Sequence, residues 1–299
     1  MSHKVTVVTP SFNHGRYLSR TIRSVLDQQF DGELAFLVRD GGSRDETVSI
    51  LRGFGERIDW TSAPDGGQAD AGNQGISRAA GDIIGWLNSY DIYYPGAIAE
   101  VCAAFDADPA ADLVYGAANH IDEQDQVIER YPVEDWNLDR FLYTCYLCQP
   151  AVFFRKSVVE RFGGLNPSFY YAMDYEYWVR LALKGAKFRR VPGTLAGSRF
   201  YPTNKTLRGR GAAHAEYNRL MRRHLGRVPD RWLANYAHAV LDGRGVPRTA
   251  VPRLALMVSA LSLAASLRWN HRISRELARN VGGWAGGALR EWYRGAFRR

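Results

Sequence analysis

Apolar and polar positions switch period along the first 120 residues. Lys4–Thr9 is a Val- and Thr-rich run that predicts a strand. Arg16–Gln28 then sets Leu18, Ile22, Val25 and Leu26 on one helical face. A second strand over Glu33–Arg39 is followed by Ser43 and Glu46, spaced as a capping box that opens the next helix. Ile58–Thr61 predicts a third strand, Gln68–Ala80 a helix and Asp82–Leu87 a fourth strand. Pro95 suits the first turn of a helix to about Phe105, and Leu113–Ala117 is a further strand. This alternation predicts an α/β domain with a doubly wound, mainly parallel sheet flanked by helices. Beyond it the pattern predicts a strand at Ala151–Phe154, helices at Ser157–Phe162 and Asp174–Lys184, and extended segments at Phe188–Val191 and Thr194–Phe200. From about Leu207 it is helical, broken at 226–229 and 243–247, which predicts domains over 1–206 and 207–299, the first with halves of about 1–120 and 121–206.

Polar clusters close four of these strands: Thr9-Pro10-Ser11, Asp40-Gly41-Gly42-Ser43, Asp65-Gly66-Gly67-Gln68 and Asn88-Ser89-Tyr90-Asp91. In a parallel sheet such ends share one edge and can surround a single ligand. Glycine-rich turns offer backbone N–H groups to phosphate, and a carboxylate can accept from a base or ribose. One Asp-Gly-Gly alone reads as a turn; ordered recurrence after successive strands is the specific signal.

The chain resembles the inverting family 2 glycosyltransferases of the GT-A fold, the kind that builds bacterial cell-surface polysaccharides. The stretches that carry the likeness begin with Val7-Val8-Thr9-Pro10-Ser11-Phe12-Asn13 and Val38-Arg39-Asp40-Gly41-Gly42-Ser43. They continue through residues 65–73 and 81–89 to Gln149-Pro150-Ala151-Val152-Phe153-Phe154-Arg155 and Met173-Asp174-Tyr175-Glu176-Tyr177-Trp178. The resemblance covers about residues 4–206 and implies a role for each matching position. Thr9, Pro10 and Asp40 would hold the base and ribose of the donor, with Asp70, Asn73 and Asn88 toward the nucleotide and its phosphates. Asp91 would bind a divalent metal, Mn²⁺ or Mg²⁺, and Asp174 would be the general base. Gln149, Pro150 and Trp178 would lie on the acceptor side. Without the motif, Asp174 reads as an acid favoured by a helix N-terminus.

Two positions depart from the family pattern. Tyr90 stands where a second aspartate is usual and Tyr201 where a histidine often completes the metal site. A phenol is a poor ligand for a hard cation, so the implied metal requirement is weakened or dispensable. Arg199 and Lys205 would then pair with the leaving diphosphate. The alternative is that Asp91 with phosphate oxygens and water holds the ion unaided. The resemblance implies transfer of a sugar, with inversion, from a nucleoside diphosphate donor, UDP-sugar foremost, to a hydroxyl of a glycan or glycolipid. A catalytically impaired nucleotide-sugar-binding or scaffold protein is the second reading, motivated by the same tyrosines.

Charge separates the tail from the body. The formal net charge is +8, yet residues 207–299 hold 18 arginines against five acidic residues, while the body is mildly acidic. Leu254–Leu267 is apolar but short for a bilayer span. Arg268, Arg272, Arg275 and Arg279 interleave with Trp269, Trp284 and Trp292, which suits an anionic membrane surface contacted through 250–299. The bland alternative is a helical appendage packed on the body or on a second copy in a homo-oligomer; nucleic acid ranks third, without a recognised motif. Met1-Ser2-His3-Lys4 runs straight into a strand with no signal peptide, and three cysteines suggest a reducing compartment. Cys145-x-x-Cys148 lacks a second ligand pair and reads as ordinary thiols. The expected location is cytoplasmic, peripheral on the inner face of the cell membrane.

Overall fold

The computed structural model describes residues 3–201, 204, 205, 209–249 and 251–296, with side chains through residue 287. The chain forms two compact units, Met1–Pro202 and Thr203–Arg299.

The first unit is built on a sheet of nine strands among the described residues. They are β1 (His3–Ser11), β2 (Gly32–Asp40), β3 (Asp59–Ser62), β4 (Ile83–Trp86), β5 (Ile92–Tyr93), β6 (Leu113–Ile121), β7 (Val127–Arg130), β8 (Val152–Arg155) and β9 (Phe188–Arg199). Their order is β3-β2-β1-β4-β8-β6-β9-β5, with β7 beside β6. The β3-β2-β1-β4 half is entirely parallel, and β6 with β9 adds the other long parallel pairing. Antiparallel β8 joins the two halves. Seven helices pack on it: α1 (Gly15–Leu26), α2 (Thr47–Phe54), α3 (Gln68–Arg78), α4 (Ala97–Ala107), α5 (Leu138–Tyr143), α6 (Lys156–Phe162) and α7 (Met173–Leu183).

β1 is an interior strand of the parallel half, with its residues buried on both faces from Val5 to Ser11. Val5 and Val7 share a core with Leu18, Ile22 and Val25 of α1. On the other face α3 approaches so closely that a Cβ at Gly75 would lie 2.3 Å from Val8 Cγ1. Only glycine lets the helix sit there.

Some local expectations are corrected. The capping box does not form: Ser43 turns to Asp40, and α2 starts at Thr47 with no side-chain bond from its N-cap, Glu46. Asp45 instead accepts from Thr47 N at 3.1 Å and from Gly15 N at 2.9 Å, tying the starts of α1 and α2 together. Pro95 precedes α4, whose N-cap is Gly96 at φ 82°. The two extended segments at 188–200 are one strand, β9. Strands β5 and β7 and helix α5 are too short for periodicity to reveal.

The second unit consists of α8 (Arg210–Leu225), α9 (Asp230–Gly243), α10 (Val251–Asn270) and α11 (Arg275–Ala296) among the described residues. Ala237, Leu241 and Val258 form its core. The apolar run at 254–267 belongs to a 20-residue helix, with mean hydropathy 1.3 and 28% of that window buried. By length and composition alone α10 is long and apolar enough to cross a membrane, although the apolar run within it covers only 254–267. One face of it is buried through Val258, Ser259, Ser262, Ala265 and Ser266, while Val251, Leu256 and Leu267 are exposed.

Candidate active site

The C-terminal ends of β1, β2 and β4 meet at one sheet edge, where loops 11–15 and 40–45 are cross-linked. Asn13 N donates to Ser43 Oγ at 2.7 Å, and Arg44 N donates to Asn13 Oδ1 at 2.9 Å. Asn13 takes φ 55° in this turn. Asp40, 3% exposed, accepts from Ser43 N at 2.9 Å, Ser43 Oγ at 2.5 Å and Ser62 Oγ at 2.6 Å. Its carboxylate holds the loop that follows β2. The Thr9 and Ser11 hydroxyls, in contrast, are buried and have no hydrogen-bond partner among the described residues. Two orphaned hydroxyls at alternate positions of β1 are what a ligand's polar groups would satisfy. Pro10 is buried between them and Phe12, just beyond, is 57% exposed.

Next to β1, the end of β4 carries an amide hub. Asn88 donates through Nδ2 to Gln149 Oε1 at 2.7 Å and to Asp91 Oδ2 at 3.0 Å, and accepts from Gln68 Nε2 at 2.7 Å. Gln149 in turn donates to the Trp86 carbonyl. Gln149 and Pro150 are buried, and both ends of the Gln149 amide are spent on Asn88 and the Trp86 carbonyl.

Asp91 is fully buried, and neither carboxylate oxygen is open. Oδ1 accepts from Arg199 N at 2.8 Å and Oδ2 from Asn88. Burial pushes its pKa up to about 7 despite these bonds. Arg199 is also buried: Nε donates to the Tyr90 carbonyl at 2.7 Å, Nη1 to the Asp122 carbonyl at 2.5 Å and Nη2 to Asp125. The expectation that Arg199 meets a diphosphate is thus corrected; it locks loop 122–125 to the end of β4.

Over Asp91 sits an aromatic cluster. Tyr90 packs edge-on against His14 at 4.9 Å and against Tyr201 at 5.5 Å, and Tyr201 also meets Tyr17 at 5.3 Å. His14 Nδ1 is hydrogen-bonded to Ser89 Oγ at 2.9 Å and Nε2 to the Tyr201 hydroxyl at 3.2 Å. Burial lowers the His14 pKa to about 4, so the imidazole is neutral. Burial, then the charges of Asp91, Tyr201 and Asp174, raise the Tyr90 phenol well above its ordinary value, and Gln68 is hydrogen-bonded to it.

Asp174 stands in the first turn of α7, half-buried, within electrostatic reach of Tyr90, Cys145 and Cys148. Its Oδ1 accepts from Tyr175 N at 2.7 Å. Both cysteines are free thiols raised by burial, Cys145 to about 12.

Other expected site residues point elsewhere. Asn73 pairs both side-chain atoms with the Leu165 backbone, at 2.9 and 2.8 Å, and so pins loop 163–165 instead of facing phosphates. Asp70 accepts from Gly66 N and Gln74 Nε2, both at 2.9 Å, and shapes the turn before α3. Trp178 is fully buried against Trp86, Tyr177 and Phe154, a core residue rather than an acceptor contact. Lys205 falls in the second unit and is half-buried there; Pro202, Thr203 and Thr206 of the same stretch lie outside the described residues. The sequence pattern places His14 in a turn and Gln68 at a helix start and gives neither a role in the site, although their side chains contact the two unusual tyrosines.

The family model for glycosyl transferase family 2 matches residues 6–162. The chain belongs to this family. An uncharacterized glycosyltransferase of Mycobacterium tuberculosis is 36% identical over 183 residues, covering 60% of this chain and 69% of its own. A PGL/p-HBAD biosynthesis glycosyltransferase of Mycobacterium bovis is 29% identical, covering 58% and 68%. The fold is that of solved GT-A structures. The chain spans 52% of S. aureus TarS, with TM-score 0.58, 15% identity and 88% of this chain covered. TarS 1–349 in complex with UDP gives 0.60 at 16% identity, covering 98% and 92%. Mannosyltransferase PcManGT from Pyrobaculum calidifontis, in complex with GDP-Man and Mn²⁺, gives 0.61 at 18% identity, covering 99% and 83%.

Among the described residues no three His, Cys, Asp or Glu side chains are grouped to hold an ion. Asp91 has both oxygens engaged, and its neighbours Tyr90 and Tyr201 are protonated phenols. These residues do not fit a carboxylate-held divalent cation.

Proposed function

We propose that this family 2 glycosyltransferase moves a sugar, with inversion, from a nucleoside diphosphate sugar to a hydroxyl of a glycan or lipid-linked acceptor in cell-surface polysaccharide synthesis. The observation that carries this reading is Asp174, in the first turn of α7 and within electrostatic reach of Tyr90, which follows β4; the neighbouring strand β1 bears the orphaned Thr9 and Ser11 hydroxyls. Asp174 would accept the acceptor's hydroxyl proton while that oxygen attacks the anomeric carbon and the nucleoside diphosphate leaves from the opposite face. Thr9 and Ser11 would receive the base and ribose, and UDP is the favoured nucleotide because TarS 1–349 was solved with it. Asn88 and Gln68 would hold the floor beneath the diphosphate.

Because Asp91 is closed and tyrosines surround it, donor binding would depend weakly on a divalent ion. Phenol and amide N–H and O–H groups can donate to phosphate oxygens there. A thermal-shift screen of nucleotide sugars, each with chelator and with Mn²⁺, tests both points. A UDP-sugar is expected to stabilise the chain equally in the two conditions; a shift seen only with Mn²⁺ would overturn the metal reading. Asp174→Asn is expected to lower donor turnover by a factor of roughly 10²–10⁴ while keeping the donor-induced shift. Unchanged turnover, or none in the parent protein, would favour a nucleotide-sugar-binding role instead.

The basic second unit is proposed to keep the enzyme at an anionic membrane surface on its cytoplasmic face. The exposed apolar residues of α10 and the arginines around them support this reading.

A further inference from the structure

The second unit contains a recess lined by none of the candidate-site residues described above. Its volume is about 420 Å³, and it lies between the C-terminal half of α8 and the end of α10. Glu216, Arg219, Arg222 and Arg223 line it from α8, and Arg268 and Trp269 from α10. Four guanidiniums thus face one space with a single carboxylate. That carboxylate, Glu216, lies 3.4 Å from Arg219, and one N–H of Arg222 goes to the Gly226 carbonyl. Arg223 and Arg268 are exposed, and Arg268 stacks over the Trp269 ring at 5.1 Å. An α-helix C-terminus is negative and repels anions. Gathering arginines at two such ends reverses the local sign.

Guanidinium forks match phosphate oxygens in shape and charge, and several of them in one recess select a phosphate over a lone carboxylate. The surroundings identify the source of that phosphate. Leu267, 53% exposed, adjoins Arg268, and Val251 and Leu256 are exposed on the same helix, most of which is unburied. A tryptophan between apolar surface and cationic rim is the arrangement of a bilayer interface. We propose that this recess binds the phosphate headgroup of an anionic membrane lipid, with α10 lying against the acyl boundary. The proposal rests on the membrane-surface reading above and gives it a defined site.

The test is flotation of the full chain with phosphatidylcholine vesicles, with and without phosphatidylglycerol. The parent protein is expected to float only with phosphatidylglycerol. Arg223→Gln with Arg268→Gln should weaken that binding roughly thirtyfold, at about a fivefold factor per charge near the surface. The charge-matched pair Arg227→Gln with Arg244→Gln, exposed but outside the recess, should lose only a few-fold. Donor turnover in solution should be unchanged in both, which separates failure of this site from failure of the glycosyltransferase reading. Equal losses in the two pairs, or equal flotation on phosphatidylcholine alone, would overturn the proposal. So would inorganic phosphate stabilising the parent but not the recess pair in the absence of flotation, which assigns the recess to a soluble anion.

Discussion

His14 is neutral in the folded protein, with Ser89 and Tyr201 on its two nitrogens and a pKa lowered to about 4 by burial. Its contribution to stability is present above the unfolded value near 6.5 and is lost as pH falls toward 4, because only the unfolded chain takes up the proton. At ~1.4 kcal/mol per pH unit this reaches at most ~3 kcal/mol. Asp91 works in the opposite direction. Its folded pKa of about 7 lies above the ordinary carboxylate value, so its contribution is full in acid and lost as pH rises through 7. The wild-type profile is the difference of two overlapping windows. Urea unfolding of His14→Asn at pH 4.5 and 7 should show a smaller acid loss than the parent, and Asp91→Asn a smaller decline between pH 5 and 8. The two tyrosine departures were legible from the sequence, as was the general location of Asp174. The hidden part was the direction of each polar side chain. Asn73, Arg199 and Trp178 sit in matching motifs, yet their partners are Leu165, Asp125 and Trp86. Motif membership fixes a residue's place along a strand or helix, while its hydrogen-bond partner depends on a loop that arrives from up to a hundred residues away.

At the scale of elements, Arg180 ties α7 to the end of α6 and the loop after it while pairing with Glu176 of its own helix. Arg180 bonds Glu176 at 3.0 Å, the Phe162 carbonyl at 2.7 Å and the Gly164 carbonyl at 2.6 Å, while Glu176 is 1% exposed. Arg180→Ala would remove the ion pair from a buried carboxylate, and is expected to cost about 3 kcal/mol in urea unfolding. Asn73 holds the same loop from α3, so the start of α7 that carries Asp174 is braced from two sides. The start of α2 shows where local pattern misleads. Ser43 and Glu46 have capping-box spacing, but Asp40 and Ser62 claim the Ser43 hydroxyl's surroundings, and Asp45 takes the capping role. Asp45→Ala should cost about 1 kcal/mol, with Ser43→Ala acting on the β2 loop rather than on α2. The long strands and amphipathic helices were readable from their periodicity. The two-residue β5 and the exposed β7 have too few periods to register.

For the whole molecule, charge is divided between an acidic body and a basic helical unit, and the aromatic cluster joins segments far apart in the body's own sequence. His14 follows β1, Tyr90 follows β4 and Tyr201 follows β9. Their mutual packing has an evolutionary consequence. On the family resemblance, a site with carboxylate and histidine ligands would differ at Tyr90 and Tyr201, and the contact between the two rings is expected to couple the changes. Tyr90→Asp alone places a charge beside the closed Asp91 and removes a ring from Tyr201. Tyr201→His alone removes the hydroxyl that His14 engages. Each single step should lower the melting temperature more than the pair together, with a coupling of about 1–3 kcal/mol in a double-mutant cycle. Mn²⁺ binding, followed by electron paramagnetic resonance, should emerge only in the double variant. Such epistasis would keep a lineage on one side of the divide once both tyrosines are in place.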